Sequence, residues 1–141
     1  FKINRKCAAG TGAYIEELIH RLQLEKRDLN QLALQHDVDL TLNSFCTVFA
    51  GQEVIKILMN GEKVENLIHA LYASVVKRIM ELSSIQTESI VFKWGVIYYH
   101  PYLQKLFKER LDGKTIIIPE NPQYLGALGA AIHLISINSR L

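Results

Sequence analysis

Two cysteines are the residues of this sequence best suited to reactive chemistry. Cys7 stands in KCAAGTG and Cys46 stands in NSFCTVFAG, and each comes just before a stretch with helical periodicity. Unpaired amide N–H groups and the helix dipole favour an anion at the start of a helix, so each thiol is biased toward the thiolate. Thiolates bind metals and act as nucleophiles. Cys7 and Cys46 are therefore candidate metal ligands.

The number of thiols narrows the kind of metal site. An iron–sulfur cluster is usually held by four thiolates, and this chain has two cysteines. A two-fold homodimer supplies two more and places a cluster on its symmetry axis. The interval of 39 residues between the cysteines is not a metal-binding motif by itself. The alternative is that both cysteines are small apolar residues of the core.

Other candidate groups give weaker signals. The segment AAGTG lacks the lysine and the spacing of a P-loop, and a tight turn explains its glycines equally well. A nucleophilic cysteine needs a nearby base, and the sequence identifies none, so no catalytic residue is assigned. The histidines are scattered singly, and each is expected to be an ordinary surface or core residue: His20, His36, His69, His100 and His133.

The composition excludes several classes of protein. With 141 residues, 49% hydrophobic and 21% charged, the chain has the length and composition of one globular domain. Its 16 basic and 14 acidic residues are mixed without a basic run, which argues against nucleic acid as a partner. No apolar run approaches the roughly 20 residues of a membrane helix, and no signal peptide is visible. We therefore expect a cytoplasmic protein without membrane contact.

The periodicity predicts a mostly helical chain with a small sheet. Apolar residues at three- and four-residue steps predict helices at 12–24, 28–35, 47–60 and 64–84, the last being the longest. Two β-branched runs, 89–92 and 114–118, predict strands joined by a helix that ends at Gly113, and residues 1–4 resemble the end of a strand. The last helix carries small residues, including Gly126 and Gly129, which are expected to let it lie close to a neighbouring backbone.

Three segments, NRKCAAGTG, NSFCTVFAGQEVI and PQYLGALGAA, resemble the activator component of 2-hydroxyacyl-CoA dehydratases and the related ATPase subunits of benzoyl-CoA reductase. They occur in the family's order and the resemblance covers nearly the whole chain. It is specific, because the wider superfamily of sugar kinases and actin-like ATPases lacks the cysteine motifs. The implied fold is α/β, the C-terminal part of an actin-like, ribonuclease H-like ATPase, helix-rich with a small, incomplete sheet.

The resemblance also implies a function. Members of the family are homodimers that share one 4Fe-4S cluster between subunits and use ATP hydrolysis to send a low-potential electron to a dehydratase or reductase component. Carried over to this sequence, the cluster ligands are Cys7 and Cys46. The helices that begin beside them are implied to change their angle with ATP. We expect one domain, with a cluster-bearing helical part at 1–62 and a helix-strand-helix-strand-helix part at 63–141.

The sequence departs from the family in two places. The N-terminal portion with the first phosphate-binding loop is absent, which leaves a sheet edge unprotected and, with Phe1 in place of Met, predicts a segment of a longer chain. The Thr-Gly-Gly-Val turn that the family uses for the nucleotide is replaced by Lys93-Trp94-Gly95-Val96. Trp94 either fills the space that glycine leaves for a ligand or packs between helix and strand. Both interpretations argue against binding of ATP and Mg²⁺.

Three hypotheses follow. The leading one is an iron–sulfur electron-transfer module resembling the ATP-dependent activator, with Gly95, Gly126 and Gly129 as candidate cofactor-binding positions. The alternative is a catalytically silent actin-like regulatory or interaction domain that has lost nucleotide binding. A sugar-kinase-like phosphotransferase fits least well, because the catalytic segments are missing.

Overall fold

A computed structural model describes residues 10–42, 46–82 and 86–139. Within these ranges the chain forms seven α-helices, one 3-10 turn and two short strands. In chain order they are α1 Thr11–Arg21, the 3-10 turn Lys26–Asp28, α2 Leu29–Leu34, α3 Thr47–Met59, α4 Val64–Leu82, β1 Ser89–Val91, α5 Gly95–Tyr99, α6 Pro101–Arg110, β2 Thr115–Ile117 and α7 Leu125–Asn138.

The helix-rich α/β prediction is confirmed, and each helix predicted from periodicity is present. Most ends agree within one or two residues, and two helix ends differ by more. The first helix stops at Arg21, and Gln23 has a φ of 54° in the turn that follows. The helix between the strands stops at Arg110, because Gly113, with a φ of +77°, belongs to the turn that enters β2. Helix α5 was not predicted, and the strand expected at residues 1–4 lies outside the described residues.

The two strands pair in parallel, with Ser89 opposite Thr115 and Ile90 opposite Ile116. Helices α5 and α6 form the crossover between them, as the strand–helix–strand prediction requires. Phe92, just after β1, packs against Phe107 of α6 with ring centroids 4.5 Å apart. The small sheet is therefore covered on one side by its own crossover helix.

Helix α4 is the centre of the core. It contacts α2, α3 and α6, and α2 also contacts α6. Its inward face is apolar, and Leu67, Ile68 and Leu71 are almost completely buried. Because α2 and α6 flank the same stretch of α4, side chains at the end of α2 meet side chains from both of the other helices. This arrangement positions the histidine cleft described below.

Helix α7 is the exception to this packing, since it has no buried residue. Apart from the helix's own backbone, no described atom lies within 4 Å of a Cβ built at Gly126 or Gly129, so the described residues provide no neighbouring backbone for the predicted close approach. Its apolar residues surround the helix, as in helices that a larger protein covers on every side. None of the helices in the described ranges has both the length and the apolar character needed to cross a membrane.

Candidate functional site

Cys46 lies at the start of α3, as predicted. Its backbone is extended, with φ −103° and ψ 132°, and its carbonyl accepts the first helical hydrogen bond from the Ala50 N–H at 2.9 Å. The residue is half-buried, and the first turn of α3 contains no acidic side chain. The thiol therefore lies at the positive end of a helix dipole, which favours the thiolate. Cys7, its predicted companion, lies outside the described residues.

The surface beside Cys46 is apolar. Val48 is 57% exposed and Phe49 is 63% exposed, whereas Ala50 and Val54 of the same helix face the core. Contiguous exposed apolar area marks contacts with other molecules when it is large. The start of α3 combines a thiol with two exposed apolar side chains.

Helices α1 and α3, which begin after the two cysteine motifs, contact each other. The contact is close where the end of α1 meets the start of α3, because a Cβ built at Gly51 would lie 3.0 Å from Arg21 Nε. Arg21 is held in place by an ion pair with Glu17, 2.7 Å from Nη2 to Oε1. Gly51 therefore leaves room for the arginine that joins the two helices.

The turn that carries Trp94 keeps a backbone conformation that is nearly exclusive to glycine. Trp94 has φ 98° and ψ 159°, and its N–H donates to the Pro122 carbonyl at 2.8 Å. Its indole is 68% exposed, with the Lys93 ammonium 5.4 Å from a ring centroid. The prediction that Trp94 packs between helix and strand is therefore wrong, and the indole lies on the outside of the turn.

Of the three glycines predicted as cofactor-binding positions, only Gly95 lies near another segment of the described chain. A Cβ built at Gly95 would lie 3.9 Å from Gln123 Cδ, so Gly95 meets the segment that leads into α7. Gly126 and Gly129 lie in the first half of that exposed helix. The structure thus places Gly95 near the approach to α7 and gives the two helical glycines no packing partner within the described residues.

The sequence suggested that the histidines are isolated from one another, but the structure brings two of them together with an aspartate. His36, Asp39 and His69 each place one ligand atom within 4.8 Å of the others, the one such group of three in the described residues. They line an open cleft of about 890 Å³. His36 and Asp39 are three residues apart in a loop, which is the single local signal, whereas His69 is 33 residues further along the chain. Tertiary packing of α2 on α4 brings them together.

Burial lowers the pKa of two histidines and so favours their neutral form. Burial lowers the pKa of His69, and the nearby His36 lowers it further. Burial also lowers the pKa of His100, whose Nδ1 lies 2.7 Å from the Tyr72 hydroxyl, and it raises the pKa of that hydroxyl. His69 Nδ1 likewise lies 2.6 Å from a hydroxyl, that of Tyr102, and this second ring–hydroxyl contact belongs to the cleft.

Known proteins resemble this chain along nearly its whole length. The 2-hydroxyisocaproyl-CoA dehydratase activator of Clostridioides difficile is 32% identical over 136 residues, which cover 94% of this chain and 50% of the relative. Its structure with bound ADPNP, reported from Clostridium difficile, superposes with a TM-score of 0.76 at 31% identity, covering 92% of this chain and 48% of that one.

A second solved structure is more similar in fold. Component A of the (R)-2-hydroxyglutaryl-CoA dehydratase of Acidaminococcus fermentans gives a TM-score of 0.81 at 33% identity, covering 92% of this chain and 50% of that one. The chain thus spans about half the length of the relatives it matches. Residues 1–133 match the BadF/BadG/BcrA/BcrD ATPase family, which confirms the resemblance found in the cysteine motifs. This chain belongs to the BadF/BadG/BcrA/BcrD ATPase family.

Proposed function

We propose that this chain is the iron–sulfur electron-transfer part of an ATP-dependent activator that serves a 2-hydroxyacyl-CoA dehydratase or a related reductase. The observation that carries the proposal is the half-buried Cys46 at the start of α3, beside the exposed Val48 and Phe49. Family membership supports it, since the related proteins are named as dehydratase activators.

The donor chemistry at this position fits an iron–sulfur cluster. Soft thiolates are the ligands that such clusters use, and the first turn of α3 carries no acidic group that would oppose a thiolate at Cys46. We propose Cys7 as the second ligand, so that two chains supply four thiolates. When bound, the cluster supplies a carrier for one electron at low potential.

The residues of the chain itself have two roles in this proposal. The amide N–H groups at the start of α3 stabilise the Cys46 thiolate through the helix dipole. The exposed Val48 and Phe49 bury apolar area against a second copy of the chain and keep water away from the thiol. The second role requires the homodimer, because the apolar pair is solvent-exposed in the single chain.

Anaerobic reconstitution with iron and sulfide tests the proposal. We expect a dimer with about four irons. Cys46→Ser and Cys7→Ser are each expected to abolish iron binding, whereas Gln52→Ala, an exposed change on the same helix, keeps it. A colourless monomer, or full iron content in either serine variant, contradicts the proposal.

A second candidate function is a catalytically silent regulatory or interaction domain, and the specific observation in its favour is Trp94. Its indole stands on the turn where the resemblance places a nucleotide-binding glycine. Titration of the unaltered chain with Mg²⁺–ATP separates the candidates. Tight binding counts against the silent domain, whereas absence of binding together with absence of iron favours it.

A further inference from the structure

We propose that His36, Asp39 and His69 form a binding site for one divalent transition-metal ion of the zinc class. The site lies in the cleft between α2, α4 and α6. It involves neither cysteine and requires no second chain, so it is independent of the iron–sulfur proposal.

The distances between the ligand atoms suit a small ion. Asp39 Oδ1 lies 3.0 Å from His69 Nε2 and 3.5 Å from His36 Nε2. A tetrahedral ion with bonds of about 2.0–2.1 Å holds its donor atoms about 3.4 Å apart. The two rings are stacked, with centroids 3.8 Å apart and planes 3° from parallel, so both Nε2 atoms face the same carboxylate. Coordination requires a tilt of the partly exposed His36 ring to make the two lone pairs converge.

Hydrogen bonds at the opposite ring nitrogens leave the cleft rich in acceptors. His36 Nδ1 lies 2.7 Å from the Ala33 carbonyl, which can only accept, so the Nδ1–H donates to it. With its proton on Nδ1, the ring presents the Nε2 lone pair toward Asp39 Oδ1, 3.5 Å away. A metal ion between the two atoms would accept an electron pair from each of them.

His69 has the corresponding arrangement. Its Nδ1 lies 2.6 Å from the Tyr102 hydroxyl, whose oxygen can accept the Nδ1–H. Histidines that bind metals usually donate their second ring N–H to an oxygen, which fixes the orientation of the ring. Tyr102 is therefore a positioning residue, because it acts on the ion through His69.

The loop that carries Asp39 is fixed before any ion binds. Asn66 Oδ1 accepts hydrogen bonds from the Asp37 N–H at 2.9 Å and the Val38 N–H at 3.2 Å. Lys63 forms an ion pair with the Asp37 carboxylate. Lys63, just before α4, and Asn66 and His69 within it follow each other at three-residue steps, so one side of the start of α4 holds the loop and supplies a ligand. A site arranged in advance loses less conformational entropy when it binds.

The cleft leaves part of the coordination sphere open. The Asp39 side chain is 84% exposed, while that of His69 is only 10% exposed, so solvent reaches the ion from the side of the carboxylate. Three protein ligands with an open position are typical of zinc sites that bind water or a substrate. Two imidazoles with one carboxylate favour Zn²⁺, Co²⁺ or Ni²⁺ over Mg²⁺ and Ca²⁺. The charged groups around the opening are of both signs: Lys77, Glu81, Lys105, Glu109 and Arg110.

Titration with Co²⁺ tests the site by its visible absorption. The whole chain with Cys7→Ser and Cys46→Ser serves as the parent, so that no thiolate can bind the probe. We expect one Co²⁺ per chain, with ligand-field bands. Asp39→Asn and His36→Gln are each expected to weaken binding ~10-fold or more. His133→Gln, an exposed histidine on α7, is the matched control and leaves binding unchanged.

Tyr102→Phe tests the positioning role. We expect a loss of ~10–100-fold in Co²⁺ affinity together with a shift of the ligand-field bands, since the His69 ring loses its oxygen partner. A change in folding alone would not shift those bands in the bound fraction. Absence of Co²⁺ binding by the folded parent, or equal affinity in the parent and Asp39→Asn, overturns the proposed site.

Discussion

The start of α3 and the histidine cleft are the two candidate metal-binding regions of the molecule, and they differ in how much of each proposed site the single chain arranges by itself. At the start of α3, the Cys46 thiol stands beside the exposed Val48 and Phe49. In the cleft, His36 and His69 are each oriented by an oxygen of the same chain. The first region offers surface to another molecule, whereas the second is arranged by contacts within one molecule.

This difference teaches what each region depends on. Covering exposed apolar side chains with a second copy of the chain lowers the free energy. The assembly of the cysteine region is therefore expected to depend on protein concentration. Among the described residues, no buried side-chain nitrogen or oxygen atom lacks a hydrogen-bond partner. The polar groups of the core, including those below the cleft, are thus satisfied without a partner chain. Three substitutions test this contrast.

The largest effect is expected for Phe49→Glu. A charge in the middle of the proposed dimer contact is costly to desolvate, so we expect the dimer and its cluster to be lost together. The fold should remain, because Phe49 is 63% exposed in the single chain. Size-exclusion chromatography and iron analysis after anaerobic reconstitution provide the measurement.

Met59→Glu is the matched control, since Met59 is exposed at the far end of the same helix. It is expected to retain both the dimer and the iron. Full iron content in Phe49→Glu would show that the apolar surface beside Cys46 is not the contact that completes the cluster.

A smaller effect is expected for Asn66→Ala, which affects the cleft. Removal of the amide leaves the N–H groups of Asp37 and Val38 without their acceptor, at a cost of about 1–3 kcal/mol in the free energy of unfolding. Urea denaturation monitored by circular dichroism measures this change. Lys77→Ala, on the exposed side of the same helix, should change stability by less than about 0.5 kcal/mol.

Asn66→Ala also tests whether the cleft and the cysteine region bind metal independently. Asn66→Ala should weaken Co²⁺ binding in the cleft, because Asp39 loses its anchored loop, and it should leave the iron content of the reconstituted dimer unchanged. Parallel loss of both metals would mean that the two regions are not independent.

The smallest effect is expected for Trp94→Gly. The φ of 98° and ψ of 159° at Trp94 belong to a region that costs a residue other than glycine about 1–3 kcal/mol. Glycine removes this strain but increases the freedom of the unfolded chain, so we expect a net gain of about 1 kcal/mol in stability. Trp94→Ala, which removes the indole but keeps the strain, is the control. Thermal unfolding of the two variants side by side measures the difference.

Trp94→Gly also restores the glycine pair that the resemblance places at this turn, so we expect its affinity for Mg²⁺–ATP to exceed that of the unaltered chain. Co²⁺ binding in the cleft should be the same in all three proteins, since none of the site's ligands lies on this turn. Equal stability of the glycine and alanine variants would contradict the strain at Trp94.

Much of the fold could be predicted from local patterns. The three- and four-residue spacing of Leu67, Ile68 and Leu71 predicted α4. The helix predicted at 47–60 ends at Met59, just before Gly61, which has a φ of +85°. Helix α5 was missed because Gly95–Tyr99 is too short to show a helical period. Its aromatic and β-branched residues are equally compatible with a strand.

The candidate sites were predictable to different degrees. The position of Cys46 at a helix start depends on neighbouring residues, so the sequence was sufficient to place it. The approach of His36 to His69 depends on the packing of α2 against α4, and no local spacing encodes such a contact. The exposure of α7 was also missed, because its small residues indicate close packing without saying which partner provides it.

The most direct test of the contrast between the two regions is native mass spectrometry of the reconstituted protein under anaerobic conditions. The central claim is that the cysteine region is completed by a second chain. It predicts an assembly of two chains with about four irons and no iron-bearing single chain. A single chain that carries a complete cluster, or a dimer that forms equally well in Phe49→Glu, would contradict that claim.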